Sequence, residues 1–277
     1  MRQFRTKFVF LFGGLGNQLF QFVYAHYVAK ITREKVILLD ATRRLRVSRK
    51  YELKYLTSGC NHKVSGMSLS VFSVFLAKSL KGLYKFSVFV KRKFLLQDNS
   101  ETGSYLNIGH FQNIKYLNFV EEEILSDLKK VLLESTPKSQ RQAREGIKLT
   151  AHIRRGDYDA NHHGHLSLEY YAKIFTKLDY NLLLVHTDDN TITNQIYEKF
   201  PGCIVYGPGE ASAWDVIIDL ANSDIAVTAN STLSWWGAWL CVKNGGQAYL
   251  PSIWFKNEMS RPPALSDQFF LEESIWD

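Results

Sequence analysis

The stretch Leu149-Thr150-Ala151-His152-Ile153-Arg154-Arg155-Gly156-Asp157-Tyr158 decides the fold class. Its first half reads as a short buried strand, and the chain then turns charged at once, with a glycine in the turn. Polar groups at the end of a buried strand suit an α/β protein, where ligands sit outside the carboxyl ends of parallel strands. Downstream the alternation continues, with helices near Leu168–Leu178, Thr191–Phe200, Ala213–Asn222 and Ser234–Lys243. Between them fall strands at Asn181–His186, Cys203–Tyr206, Ile225–Thr228 and Ala248–Leu250. Regular alternation of this kind predicts parallel sheets.

Upstream, Phe8–Phe12 reads as a buried strand running into Gly13-Gly14-Leu15-Gly16. A helix follows over Asn17–Thr32 with Leu19, Phe22, Val23 and Val28 inward, then a strand at Val36–Leu39. A polar stretch, Glu134–Ile147, contains Pro137 and separates this half from the next. The expected domains are therefore 1–140 and 141–277, since 277 residues suffice for one large core or two modest ones.

The net charge of +7 is unevenly spread. The first hundred residues carry 19 Lys/Arg against 4 Asp/Glu, whereas the remaining 177 carry 15 against 23. A basic first half suggests an anionic partner, and residues 67–93 set Phe72, Phe75, Leu76, Leu80, Leu83 and Phe86 among Lys78, Lys81 and Lys85 at helical spacing. That segment is either a docking helix with a solvated face or a basic amphipathic helix resting on anionic lipid. It lacks the glycine-aromatic pattern of common RNA modules, which argues against a nucleic-acid partner. Cys60, Cys203 and Cys241 form no zinc-site or disulfide framework, and Phe8–Phe12 is too short for a signal-peptide core. No apolar run reaches the ~20 residues that span a bilayer. The expected location is cytoplasmic, with peripheral contact at the inner face of the plasma membrane as an option.

Several motifs carry candidate chemistry. Gly13–Gln18 lies where a strand meets a helix, so backbone there can approach a phosphate or sugar, although it is neither a G-x-G-x-x-G fingerprint nor a P-loop. Of Arg154 and Arg155, one can grip a diphosphate with its forked guanidinium while the other is held by Asp157. Asn161-His162-His163-Gly164-His165 lacks a carboxylate or cysteine to complete a metal set and reads as a loop. Asp188 and Asp189 close a strand and can bind Mg²⁺, bond a ribose or cap the next helix, the cap being the default for Asp189. Asn230-Ser231-Thr232-Leu233-Ser234 opens a helix whose amides and hydroxyls suit an anion, and Trp235, Trp236 and Trp239 behind it read as packing ahead of a sugar platform.

Taken together in order, these segments resemble bacterial α-1,2-fucosyltransferases of glycosyltransferase family 11. Gly13–Phe20 is similar to the family's opening motif, and Gly109-His110-Phe111-Gln112 to its glycine-aromatic-Phe-Gln element. His152–Tyr158 matches the signature His-x-Arg-Arg-x-Asp-Tyr, Gly164–Tyr171 resembles the segment after it, and Asn230–Leu240 is close to Asn-Ser-Ser-Phe-Ser-Trp-Trp-Gly-Ala-Trp-Leu. Two departures stand out. His186-Thr187-Asp188-Asp189 replaces Phe-Ser-Asp-Asp, and Asp224 falls near a position that is usually basic. Residues 41–100 match little, so acceptor identity transfers least.

The resemblance implies a GT-B-like α/β fold, two Rossmann-type domains facing a cleft, with the acceptor held mainly by the N-terminal domain and GDP-fucose by the C-terminal one. It implies an inverting transfer of L-fucose to the 2-hydroxyl of a β-galactosyl acceptor, free or lipid-linked, in O-antigen-like glycan synthesis, with no metal or other cofactor. Arg154 would bond the β-phosphate, with Ser231, Thr232, Ser234 and Asn230 on its other side. His152 and Arg155 would orient Arg154 or contact ribose and guanine, and Asp188, Asp189 and Asp215 are candidates for the nucleoside end. Asn17 and Gln18, with Gly14 and Gly16, would lie near fucose or the acceptor hydroxyl. Asp157 is a candidate base, weakened by any arginine partner.

Overall fold

The computed structural model describes residues 6–40, 51–53, 56, 64–68, 106–107, 109–134, 146–156, 160–258, 260–262 and 267–277. Asp157 and Tyr158, Cys60, residues 69–93 of the basic segment and residues 135–145 of the polar linker lie outside them. The chain divides into two compact units, Met1–Val131 and Leu132–Asp277. Among the described residues no helix is long and apolar enough to cross a membrane.

The first unit holds β1 (Thr6–Leu11), α1 (Leu15–Thr32), β2 (Lys35–Asp40), β3 (Val64–Ser68), β4 (Leu106–Asn107) and most of α2 (Ile114–Glu134), which bends at Val120. Its four strands run in the order β3-β2-β1-β4, all parallel. The inward residues expected on α1 are indeed buried, with Leu19, Phe22, Val23 and Val28 at most 3% exposed. Each such side chain contributes roughly 1.5–3 kcal/mol of burial.

The second unit comprises β5 (Lys148–Ile153), α3 (Leu168–Phe175), β6 (Leu182–Thr187), α4 (Thr193–Lys199), β7 (Ile204–Tyr206), α5 (Ala213–Ala221), β8 (Ile225–Val227), α6 (Thr232–Lys243), β9 (Gln247–Pro251) and β10 (Phe269–Glu272). The helix expected over Thr191–Phe200 is shorter, because a 3-10 turn at Asn190–Ile192 takes up its first residues. All strands are parallel, in the order β7-β6-β5-β8-β9-β10. Renumbered within the unit this is 3-2-1-4-5-6, the dinucleotide-binding order, whose direction reverses between β5 and β8. One face of β5 is apolar, with Leu149, Ala151 and Ile153 packed in a core that includes Tyr170, Tyr171 and Ile174 of α3. Trp235 and Trp236 are fully buried and Trp239 nearly so, which settles the tryptophans as packing.

The other face of β5 is polar. Lys148 faces Asp219 of α5 at 3.6 Å, Thr150 accepts from Ser223 at 2.5 Å, and Asp219 also lies 2.9 Å from Nε2 of His186. Asp219 and His186 are each 2% exposed or less. Burial lowers the Lys148 pKa, and Asp219 opposes that shift. Cutting a buried pair strands its partner's charge. Asp219→Ala is therefore expected to cost about 3–5 kcal/mol of stability, measured by urea unfolding. A loss below about 1 kcal/mol would show that the network is not paired in solution.

Candidate active site

The switch point between β5 and β8 brings two loops side by side. From β5 comes Arg154-Arg155-Gly156, and from β8 comes Thr228-Ala229-Asn230-Ser231 leading into α6. In this fold the crevice outside those two strand ends is where a nucleotide sits.

The arginine loop is held by the end of β6. Asp188 Oδ2 lies 2.7 Å from Nη1 of Arg154, while its Oδ1 accepts from the backbone amides of Arg155 at 2.8 Å and Gly156 at 3.0 Å. One carboxylate thus fixes both the guanidinium and the turn beneath it. A Cβ on Gly156 would meet the Asp188 carbonyl at 2.7 Å, so only glycine lets the two strand ends close. Arg155 is placed by Asp189 at 3.5 Å and by the Asp277 side chain at 2.5 Å. Asp189 also accepts from the Thr191 amide at 2.8 Å, which makes it the expected cap of the next turn. Burial alone would raise its pKa, but the Thr191 bonds and the Arg155 charge outweigh that and hold it below the ordinary value.

These contacts show what the acidic pair does within the chain. Asp188 and Asp189 are taken up with the arginines and backbone amides, so they set the loop before any nucleoside reaches it. Asp188 is one partner of Arg154; Asp157, expected to pair with an arginine, lies outside the described residues. Asp215 likewise spends its carboxylate in a capping box with Ser212, accepting from the Ser212 amide at 2.7 Å.

His152 lies on β5 opposite His186 of β6, and His186 is opposite Tyr206 of β7, its ring stacked on the tyrosine with centroids 5.2 Å apart. Burial, then the Arg154 charge, then His186 push the His152 pKa well below 6.5, so the ring is neutral. It is only 3% exposed, and its carbonyl accepts from the Tyr171 hydroxyl. His152 therefore underlies Arg154 as an uncharged floor.

Across the switch point, Ser231 caps α6 by accepting from the Leu233 amide at 3.3 Å. Thr232 is partly exposed at the helix start. Asn230 and Ser234 are held within the chain. Both are fully buried, Asn230 donating to the carbonyls of His163 and Trp254, and Ser234 to those of Ala229 and Ser231. They brace the loop, and the histidine run is tied down through His163. No group of three or more His, Cys, Asp or Glu that could hold a metal ion occurs among the described residues.

In the first unit Gly13, at φ +79, turns the chain into α1, and Gly14 is its N-cap. Asn17 is partly exposed and accepts from Gln112 at 2.9 Å. Gln18 is fully buried, donating to the Gly13 carbonyl and accepting from the Glu52 amide, so it braces the turn. Gly16 is buried too. Gln21, absent from the sequence-based set, is buried and does similar work, accepting from the Phe12 amide and donating to the Gly109 carbonyl. Its only sequence signal is its place one turn after Gln18.

No family model matches the chain. It is 27% identical to an α-1,2-colitosyltransferase of Escherichia coli over 269 residues, covering 90% of this chain and 92% of that one. It is also 27% identical over 294 residues to the O-antigen biosynthesis glycosyltransferase WbnK of Escherichia coli, covering 88% and 93%. Among solved structures, the α-1,6-fucosyltransferase NodZ co-crystallised with GDP is similar at a TM-score of 0.51 and 13% identity, covering 86% of this chain and 93% of that one. The fold is of the GT-B glycosyltransferase type. Together the likenesses support a glycosyltransferase.

Proposed function

We propose that the chain transfers L-fucose from GDP-fucose to the 2-hydroxyl of a β-galactosyl acceptor in O-antigen-like glycan synthesis, as an inverting transferase similar to those of family 11. One observation carries the reading: Arg154, set by Asp188, stands at the switch point of a dinucleotide-type sheet beside the capped start of α6. A cation and a helix N-terminus on neighbouring strand ends form an anion site. NodZ, similar in fold, was co-crystallised with GDP.

In this reading the donor lies on the Leu132–Asp277 unit, with Arg154 on the β-phosphate and Ser231 and Thr232 near the same phosphates. As the C1–O bond breaks, negative charge builds on the β-phosphate, and fixed donors there stabilise the transition state. Arg155 backs the loop, and His152 forms its floor. The acceptor, free or lipid-linked, is held by the Met1–Val131 unit. Asn17 and Gly14 lie just past the end of β1, partly exposed, where a sugar can reach them. No metal is required: both carboxylates at the end of β6 are paired with arginines, which leaves them poor ligands for Mg²⁺. The 67–93 segment, with its interleaved lysines, is proposed to touch anionic membrane at the cytoplasmic face.

A second reading keeps the GDP site and changes the sugar, because one of the relatives at 27% identity is a colitosyltransferase. Incubation with GDP-fucose, GDP-colitose and UDP-sugars in EDTA, with a panel of β-galactosyl disaccharides, separates the two. Fucosyl transfer to O2, unaffected by EDTA, is expected. Transfer from GDP-colitose alone would favour the second reading, and dependence on UDP-sugars or on added metal would overturn the donor site as drawn.

A further inference from the structure

After β10 the chain crosses back, within the second unit, to the loop that leads into α3. Trp276 pairs with Leu166 as an antiparallel bridge. On either side of it, the Ser167 amide donates to the Ile275 carbonyl at 2.8 Å and the Asp277 amide donates to the His165 carbonyl at 3.0 Å. Ile275 and Trp276 pack on the apolar core that holds Ile153 and Tyr170. The seating is close: a Cβ on Gly164 would come within 2.6 Å of the Trp276 ring.

The same segment is bonded to the loop after β9. Ser274 Oγ accepts from the Ile253 amide at 2.9 Å and donates to the Ile253 carbonyl at 3.0 Å, and Lys256 donates to the Asp277 main-chain oxygen at 2.7 Å. Asn230 joins both loops, since it donates to the carbonyls of His163 and Trp254, and it immediately precedes the Ser231 cap of α6. Ser274–Asp277 is thus tied to the two loops that brace the start of α6.

From that frame the Asp277 carboxylate reaches Nη1 of Arg155 at 2.5 Å. Arg155 also faces Asp189, at the longer distance of 3.5 Å, while the neighbouring Asp188 is engaged with Arg154 at 2.7 Å. With its side chain 42% exposed, Asp277 adds little stability through such a pair. What it changes is where the two arginines lie. A second guanidinium near Asp188 would compete for the carboxylate that aims Arg154, and Asp277 draws Arg155 to the other side.

We propose that Asp277 is a positioning residue of the donor site, acting through Arg155 to keep Arg154 and the start of α6 in register for the β-phosphate. The inference rests on the donor-site reading above. Groups that aim a binding side chain act by removing its alternative positions before the ligand arrives.

The test is calorimetric binding of GDP and of GMP, which lacks the β-phosphate, to the full chain, Asp277→Asn, Arg155→Gln and the double variant. Asp277→Asn keeps the size of the side chain, and GMP binding reports that the nucleotide site is folded. Asp277→Asn should weaken GDP roughly tenfold, the worth of one hydrogen bond to a charged group, and GMP less than about twofold. Adding Asp277→Asn to Arg155→Gln should cost less than about twofold more in GDP affinity, because both act through one contact. GDP affinity of Asp277→Asn within about twofold of wild type, equal losses for GDP and GMP, or losses that multiply in the double variant would overturn the positioning role. Wild type that binds no GDP would instead overturn the donor-site reading, and the positioning role with it.

Discussion

Arg154→Ala is expected to lower kcat for GDP-fucose by roughly 10²–10³-fold, the usual loss when one fixed donor to a developing negative charge is removed. The guanidinium is held 2.7 Å from Asp188 and is 14% exposed, so it is aimed before the donor arrives and need not be reorganised during reaction. Arg154→Lys should recover only a small part, since a single ammonium cannot span two phosphate oxygens as a fork does. KM for GDP-fucose should rise less than kcat falls, because the β-phosphate gains negative charge as the bond breaks. Steady-state kinetics beside GDP calorimetry check this, and near-normal turnover by Arg154→Ala would remove it from the site.

Asp188→Ala is expected to be nearly as damaging, by a different route. It removes the acceptor of two loop amides and the anchor of Arg154 together. Both kcat and kcat/KM should fall about 10²-fold, with a stability loss of about 1–3 kcal/mol from the unsatisfied amides. Asp188→Asn keeps an acceptor oxygen and should be intermediate. A residue that merely contacts the nucleoside would behave otherwise, raising KM with kcat unchanged. Kinetics of the two variants distinguish the roles.

Much of the second unit is legible in the sequence because its strands are short apolar runs bounded by glycines, prolines and polar loops. Leu149–Ile153, Ile225–Val227 and the glycine-led start of α1 need only local pattern. The edge strand β10 is not legible in this way, since Phe270 and Leu271 are substantially exposed and break the buried-run pattern. Among site residues, sequence order marks Arg154 and Ser231 well, because strand ends are readable. It cannot show which way a polar side chain turns. Gln18, Asn230 and Ser234 sit in motifs that suggest ligand contact, yet each spends its hydrogen bonds on nearby backbone. His186 stands out in the sequence as a departure, but its partner Asp219 lies 33 residues away and becomes visible only once α5 packs on the sheet.

The central claim is that the donor diphosphate binds at the β5–β8 switch point. A crystal structure with GDP bound, grown in EDTA, tests it most directly. The β-phosphate is predicted within hydrogen-bond reach of the Arg154 guanidinium and beside the first amides of α6. Phosphates found at the Gly13-Gly14 turn of the first unit, or away from Arg154, would contradict it.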